Sequence, residues 1–81
     1  MEVGIDVERF ATFTSDLTSI EQEVARLIVL GYNNHEIAMR LCYSIGYVKN
    51  LASIIYDKLY VNSRYELRKM FQTTLFPQYV S

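Results

Sequence analysis

An all-α domain of four helices is what this sequence predicts, and three observations carry that reading. Four small polar residues, Thr18, Asn33, Ser44 and Ser63, each stand just before a stretch of helical apolar periodicity. Only three Gly and one Pro occur in 81 residues, which suits helices joined by short connections. Apolar residues make up 51% of the chain and are periodically placed, so disorder of the whole chain is not expected. The helices are expected at about 19–30, 34–41, 45–59 and 64–74. Around them, residues 1–16 read as an N-terminal extension or linker and residues 75–81 as an apolar tail, leaving 17–74 as the domain proper. That is one small domain, near the lower limit for a self-sufficient core.

Taking the chain in order, residues 1–16 are acidic with scattered Val3, Ile5, Val7, Phe10 and Phe13. They are expected to hold a short piece able to form a helix and pack loosely on the domain. Thr18-x-x-Glu21 is a capping box, in which each residue satisfies a backbone N–H of the other, and Leu17 can add a hydrophobic staple. Ile20, Val24, Leu27 and Ile28 then mark one face of an amphipathic helix, and Gly31 sits where a left-handed residue commonly ends one. Asn33-x-x-Glu36 opens the next helix, with Ile37, Ala38 and Leu41 facing inward. Ala38 is small where a neighbouring helix must come close.

Ser44 is expected to cap the longest helix, after a turn consisting only of Cys42 and Tyr43. Val48, Ala52, Ile55 and Leu59 form its core stripe, while Gly46, Lys49, Asn50, Ser53 and Asp57 lie on the opposite side. Ser63-x-x-Glu66 is a third capping box, followed by Leu67, Met70 and Phe71 as an apolar face decorated by Arg64, Arg68 and Lys69. The tail from Leu75 to Val80, with Phe76 and Tyr79, is expected to pack onto the domain.

A short helix, a tight turn and a longer helix form the outline of a DNA-binding helix-turn-helix. The side chains of the longer helix suit the role. Lys49 can donate to guanine O6 and N7 or to phosphate, Asn50 can pair with adenine, and Ser53 can reach either. Asn33, Asn34 and His35 lie where free N–H groups and the helix dipole favour a phosphate. Equally, Asn33 can act as a cap alone and His35 as a solvated surface residue.

The wording of the chain resembles a family as well. Leu17-Thr18, Glu21-x-Glu23-Val24, Gly31-Tyr32-x-Asn34-x-Glu36-Ile37-Ala38, Leu41, Ser44, Val48-Lys49-Asn50 and Lys58-Leu59-x-Val61 fall in the order and spacing of the LuxR/GerE-type domain. This is the four-helix DNA-binding module of LuxR-type regulators and NarL/FixJ-type response regulators. The resemblance runs from about Leu17 to Phe71. It implies a sequence-specific module of a bacterial transcriptional regulator, with the third helix in the major groove of double-stranded DNA. Base contacts would fall to Lys49, Asn50 and Ser53, and backbone contacts to Asn33, Asn34, Ser44, Tyr47 and Lys58. A homodimer on DNA would pair through the last helix at Leu67, Met70 and Phe71, although the same residues can close the monomer's core. A sensor or receiver domain, or a partner regulator, would lie outside this chain.

Some positions depart from the family pattern. Tyr47 replaces a common Thr, Leu51 a common His, and Ile54 a basic or polar residue. Tyr60 stands where Gly often ends the helix, and a left-handed Tyr would be mildly strained. Tyr47, Leu51 and Ile54 recur at i, i+4 and i+7 as a second apolar stripe. Cover by Phe10, Phe13, Phe76 or Tyr79 of the same chain is one expectation; a protein contact is the other. The stripe and a net charge of −1 keep a second reading open, an interaction module of the same fold with weak or no DNA binding. Charge is uneven, however. Residues 1–31 carry six acids and two bases, net −4, and residues 32–81 carry three acids and six bases, net +3.

Other classes fit poorly. His35 and Cys42 are the single His and the single Cys, seven residues apart with no evident orienting acid, so neither an enzyme nor a zinc site is expected. No cofactor is implied. One cysteine excludes an internal disulfide and fits a reducing cytosol. With no apolar run of about eighteen residues and no signal-peptide pattern, a soluble cytoplasmic protein without membrane contact is expected.

Overall fold

A computed structural model describes residues 3–74. Five helices and a two-stranded ribbon follow one another: β1 (Val3–Ile5), α1 (Val7–Phe13), α2 (Ser19–Val29), α3 (Asn34–Leu41), α4 (Ile45–Leu59), α5 (Arg64–Phe71) and β2 (Gln72–Thr74). The four expected helices are α2 to α5. Beyond them, α1 forms in the extension, its start capped by Asp6, whose carboxylate accepts from the Arg9 N–H. Tail residues Phe76 and Tyr79 lie outside the described residues.

Caps set the boundaries. Thr18 with Glu21 and Asn33 with Glu36 form reciprocal capping boxes. Ser63 is only half of one. Its hydroxyl accepts from the Glu66 N–H, but the Glu66 carboxylate turns one residue further out and accepts from the Asn62 N–H at 3.0 Å. At the other ends, α2, α3 and α4 each close through a left-handed residue: Gly31 (φ 104°), Cys42 (φ 60°) and Tyr60 (φ 58°). In each case the following N–H reaches back five residues, Tyr32 to Leu27, Tyr43 to Ala38 and Val61 to Tyr56, satisfying a carbonyl that the helix end would leave open. Gly31 adopts this conformation freely. Cys42 and Tyr60 do so against their Cβ atoms, so both turn residues are strained, as expected for Tyr60.

The last helix is shorter than the expected 64–74. It stops at Phe71, because Gln72 to Thr74 are extended and pair antiparallel with β1, Ile5 opposite Gln72 and Val3 opposite Thr74. The Gln72 amide also donates to the Val29 carbonyl at 3.1 Å, and the Asp6 N–H to the Phe71 carbonyl at 2.9 Å. Both ends of the described chain are thereby tied to the bundle.

Val24, Ile28, Ile37, Val48, Ile55, Leu67 and Phe71 are wholly buried, with α2 at the centre packed on α3, α4 and α5. Phe71 is covered from the extension: the Phe10 ring meets it edge-on at 5.2 Å and the Phe13 ring lies tilted at 6.4 Å. The extension is further held where the Gln22 amide donates to the Thr14 and Leu17 carbonyls. Phe10 and Phe13 therefore cover α5, and the expectation that they shield the Tyr47–Leu51–Ile54 stripe does not hold.

Tyr60 gives a direct test of the helix-closing strain. Its side chain is 94% exposed, so replacing it loses little packing. Tyr60→Gly relieves the left-handed penalty but adds freedom to the unfolded chain, a net gain of about 0.5–1 kcal/mol. Thermal unfolding followed by circular dichroism is expected to show a midpoint raised by roughly 2–8 °C.

Candidate nucleic-acid interface

The helix-turn-helix is α3, the turn at Cys42 and Tyr43, and α4. Val48, Ala52, Ile55 and Leu59 are buried, as the stripe predicts, while Lys49, Asn50, Ser53 and Asp57 are exposed. Counting about 100° per residue from the middle of the buried stripe, Asn50 points about 170° away, Ser53 about 130° and Lys49 about 90°. The three predicted base readers therefore share one open face. Lys49 takes part in neither ion pair found among the described residues.

The second apolar stripe divides. Leu51 lies only about 70° from the middle of the buried stripe, Tyr47 about 110° and Ile54 about 130°. Accordingly Leu51 is 5% exposed and belongs to the core, whereas Tyr47 and Ile54 are 43% and 39% exposed. Tyr47 meets Tyr43 of the turn edge-on, ring centres 5.0 Å apart. Tyr47 and Ile54 thus flank the polar face on one side, with Lys49 on the other.

The predicted backbone contacts differ among themselves. Asn33 Oδ1 accepts from the Glu36 N–H at 2.8 Å and Ser44 Oγ from the Tyr47 N–H at 3.1 Å, so both act as caps. The earliest N–H groups of α3 and α4 keep no partner within their helices, as at any helix start. Asn34 Oδ1 accepts from Arg64 at 3.0 Å, and the same guanidinium donates to the Tyr32 carbonyl at 2.7 Å. Arg64 thus braces the start of α3 from α5, whereas the sequence suggested only a surface decoration. His35 is exposed.

Lys58 is engaged within the domain. Its ammonium donates to Glu21 Oε1 at 2.8 Å, the oxygen that also accepts from the Thr18 N–H. Glu21 is buried, and the Lys58 hydrogen bond, followed by that from Thr18, holds its carboxyl below the usual value. The pair clamps the C-terminal end of α4 to the start of α2. The proposed dimer residues are also constrained: Leu67 and Phe71 are fully enclosed in the monomer and Met70 is half-buried, because α5 turns this stripe onto α2. What α5 exposes instead is Tyr65, Glu66 and Lys69, the Lys69 ammonium lying 5.9 Å from the Tyr65 ring centre.

With this geometry in place, comparison with protein families gives a match over residues 15–71 to GerE, described as bacterial regulatory proteins, luxR family. The chain belongs to the luxR family. Searches of curated proteins and of solved structures return no match. Membership supports a DNA-binding helix-turn-helix of bacterial regulators, and the matched span takes in α2 to α5 whole. Among the described residues, no helix of this luxR-family domain is long and apolar enough to cross a membrane.

The Glu21–Lys58 clamp has a pH signature. Glu21 has a lowered folded-state pKa, so its contribution is fully present above the ordinary value of 4.5 and disappears as pH falls through the lowered one. Urea unfolding between pH 7 and pH 2 is expected to show part of the acid loss vanish in Glu21→Gln. At pH 7, Lys58→Met is expected to cost about 1–2 kcal/mol, between the exposed and buried limits for an ion pair, since the lysine is partly solvated.

Proposed function

We propose that this domain binds double-stranded DNA sequence-specifically, with α4 in the major groove. The observation that carries the reading is the shared open face of Lys49, Asn50 and Ser53 on a helix whose opposite side is locked into the core. Lys49 donates to guanine or to an adjacent phosphate, Asn50 pairs with adenine, and Ser53 adds a contact one turn beyond Lys49. The starts of α3 and α4, at Asn33, Asn34 and Ser44, together with the Tyr47 hydroxyl, hold the phosphate backbone and set the register. Lys58 serves as scaffold through Glu21.

The domain acts as a homodimer on a two-fold site. With Leu67 and Phe71 enclosed, pairing falls to the outer flank of α5, around Tyr65, Lys69 and the open part of Met70. It works in the cytoplasm, as the effector part of a response regulator or a similar protein whose sensor or receiver domain lies outside this chain. A second reading, a protein-interaction module of the same fold, draws on the exposure of Tyr43, Tyr47 and Ile54 and on the low net charge.

Fluorescence anisotropy with pooled source-genome duplexes separates the two. DNA binding is expected to weaken steeply as salt rises, because contacts to phosphates release counterions. Lys49→Ala is expected to weaken it further, by roughly 5- to 150-fold for a lost base contact. A salt slope unchanged by that substitution marks a base contact, and a slope smaller by about one marks a phosphate contact. No binding by the unaltered protein at low salt sinks the DNA reading and favours the interaction module.

A further inference from the structure

An isoleucine stands exposed on the outer side of α4, next to the polar face and outside the caps and polar contacts described above. Ile54 is 39% exposed, and five of the fifteen residues of its helix, Val48, Leu51, Ala52, Ile55 and Leu59, already cover the core side. It follows Asn50 by one helical turn, so its side chain stands at the edge of the open face on the side of Asn50 and not behind it. No ring of the extension shields it; Phe10 and Phe13 are engaged with Phe71. Tyr47, one edge of the same face, is propped by Tyr43.

We infer that Ile54 is a specificity residue that packs on the C5-methyl group of a thymine in the major groove, an inference that rests on the DNA-binding reading above. The C5-methyl is the apolar feature that a base pair displays in the major groove, and it distinguishes thymine from cytosine and from the purines. Phosphates and the polar base edges offer an isoleucine nothing. The occupant is argued from continuity: Ile54 lies one turn beyond Asn50 and only about 40° from it around the helix, so a base read by Asn50 comes near Ile54 as well. An adenine read by Asn50 brings the methyl of its own paired thymine into the same stretch of groove. The selected site therefore contains a thymine within one base step of the base that Asn50 reads.

Replacing thymine by uracil removes that methyl group and leaves Watson–Crick pairing intact. The test begins with selection of a high-affinity duplex from a random pool with the full chain. Each thymine of that duplex is then replaced singly by deoxyuridine, and anisotropy titrations are run with wild type and Ile54→Ala. For wild type, one or two adjacent replacements in each half-site are expected to weaken binding about fourfold, the change for one buried methyl at about 0.8 kcal/mol. Ile54→Ala is expected to bind the thymine duplex more weakly and to be insensitive to the same replacements, a coupling that a double-mutant cycle isolates. Ala suits a helix interior, and circular dichroism confirms that the variant folds. The wild-type scan and Ile54→Val, which is expected to keep partial sensitivity, stand without it. Uniform indifference of wild type to uracil overturns the inference, while salt-steep, Lys49-dependent binding keeps the DNA reading intact. Sensitivity that persists undiminished in Ile54→Ala overturns the assignment to this residue. Failure of selection, with no salt-dependent binding of any duplex, removes both readings together.

Discussion

The outer face of α4 can act only because its inner stripe is immovable. Val48, Ala52, Ile55 and Leu59 are packed into the bundle, and the helix they belong to leaves well over half its circumference unused for folding. The support comes from α2, whose Val24, Ala25, Leu27, Ile28 and Val29 are all buried, so that one helix of the domain is enclosed in order that another can be exposed. Ala25 and Ala52 leave little side chain to hold helices apart, and the Lys58–Glu21 pair adds a polar stop at the far end of α4. Rotation of α4 by even one residue position would exchange Leu51 for Tyr47 or Ile54 at the core boundary. Close packing makes such a change costly, and the polar face keeps its orientation.

A core of this size has little margin, and the ends of the described chain enlarge it. Phe71 is fully buried, and Phe10 and Phe13 close over it from the extension. The ribbon of β1 and β2 would be marginal alone, but here it continues directly from α5 and from the cap of α1. The extension is thus part of the fold and reaches beyond the span that the family match covers, which begins at residue 15. Its charge is acidic, and its Phe10 and Phe13 pack against Phe71 of α5.

Much of this was legible in the chain because it is written locally. Caps act over three residues and helical stripes over four, so Thr18, Asn33, Ser44 and the stripe from Val48 to Leu59 announce themselves. Long-range pairing has no such signature. Lys58 meets Glu21 across 37 positions and Arg64 reaches the Tyr32 carbonyl across 32, and both lysine and arginine look like ordinary surface cations in sequence. Gln72 to Thr74 could have extended α5 by periodicity, but pairing with residues near the start of the chain drew them into a strand. The stripe of Tyr47, Leu51 and Ile54 shows the limit most clearly. Spacing alone groups the three, yet whether a residue about 70° or about 130° from the core direction is buried depends on where the neighbouring helix stands. The stripe on α5 is the same case: spacing says that something covers Leu67 and Phe71, and whether that is a second copy or the monomer's own core is not written in it; here the fold covers both from within.

Electrostatics bring the fold and the proposed role together. The acids of the first half are partly compensated inside the domain, Glu21 by Lys58 and Glu23 by Arg26. The basic residues of the second half are in turn largely engaged, with Arg64 on backbone and Asn34, and Arg40 stacked on Tyr32 at 4.1 Å. On the proposed docking, the groove-facing side of α4 offers Lys49 against Asp57 at its far end, among uncharged Asn50, Ser53, Tyr47 and Ile54. Such a face gathers little sequence-independent attraction to phosphate. On that proposal, its hold on DNA comes from short-range contacts that depend on the bases presented and from the proposed pairing of two copies. Weak binding to arbitrary DNA then becomes an asset, because discrimination is a ratio of specific to non-specific affinity, and a small charge lowers the denominator.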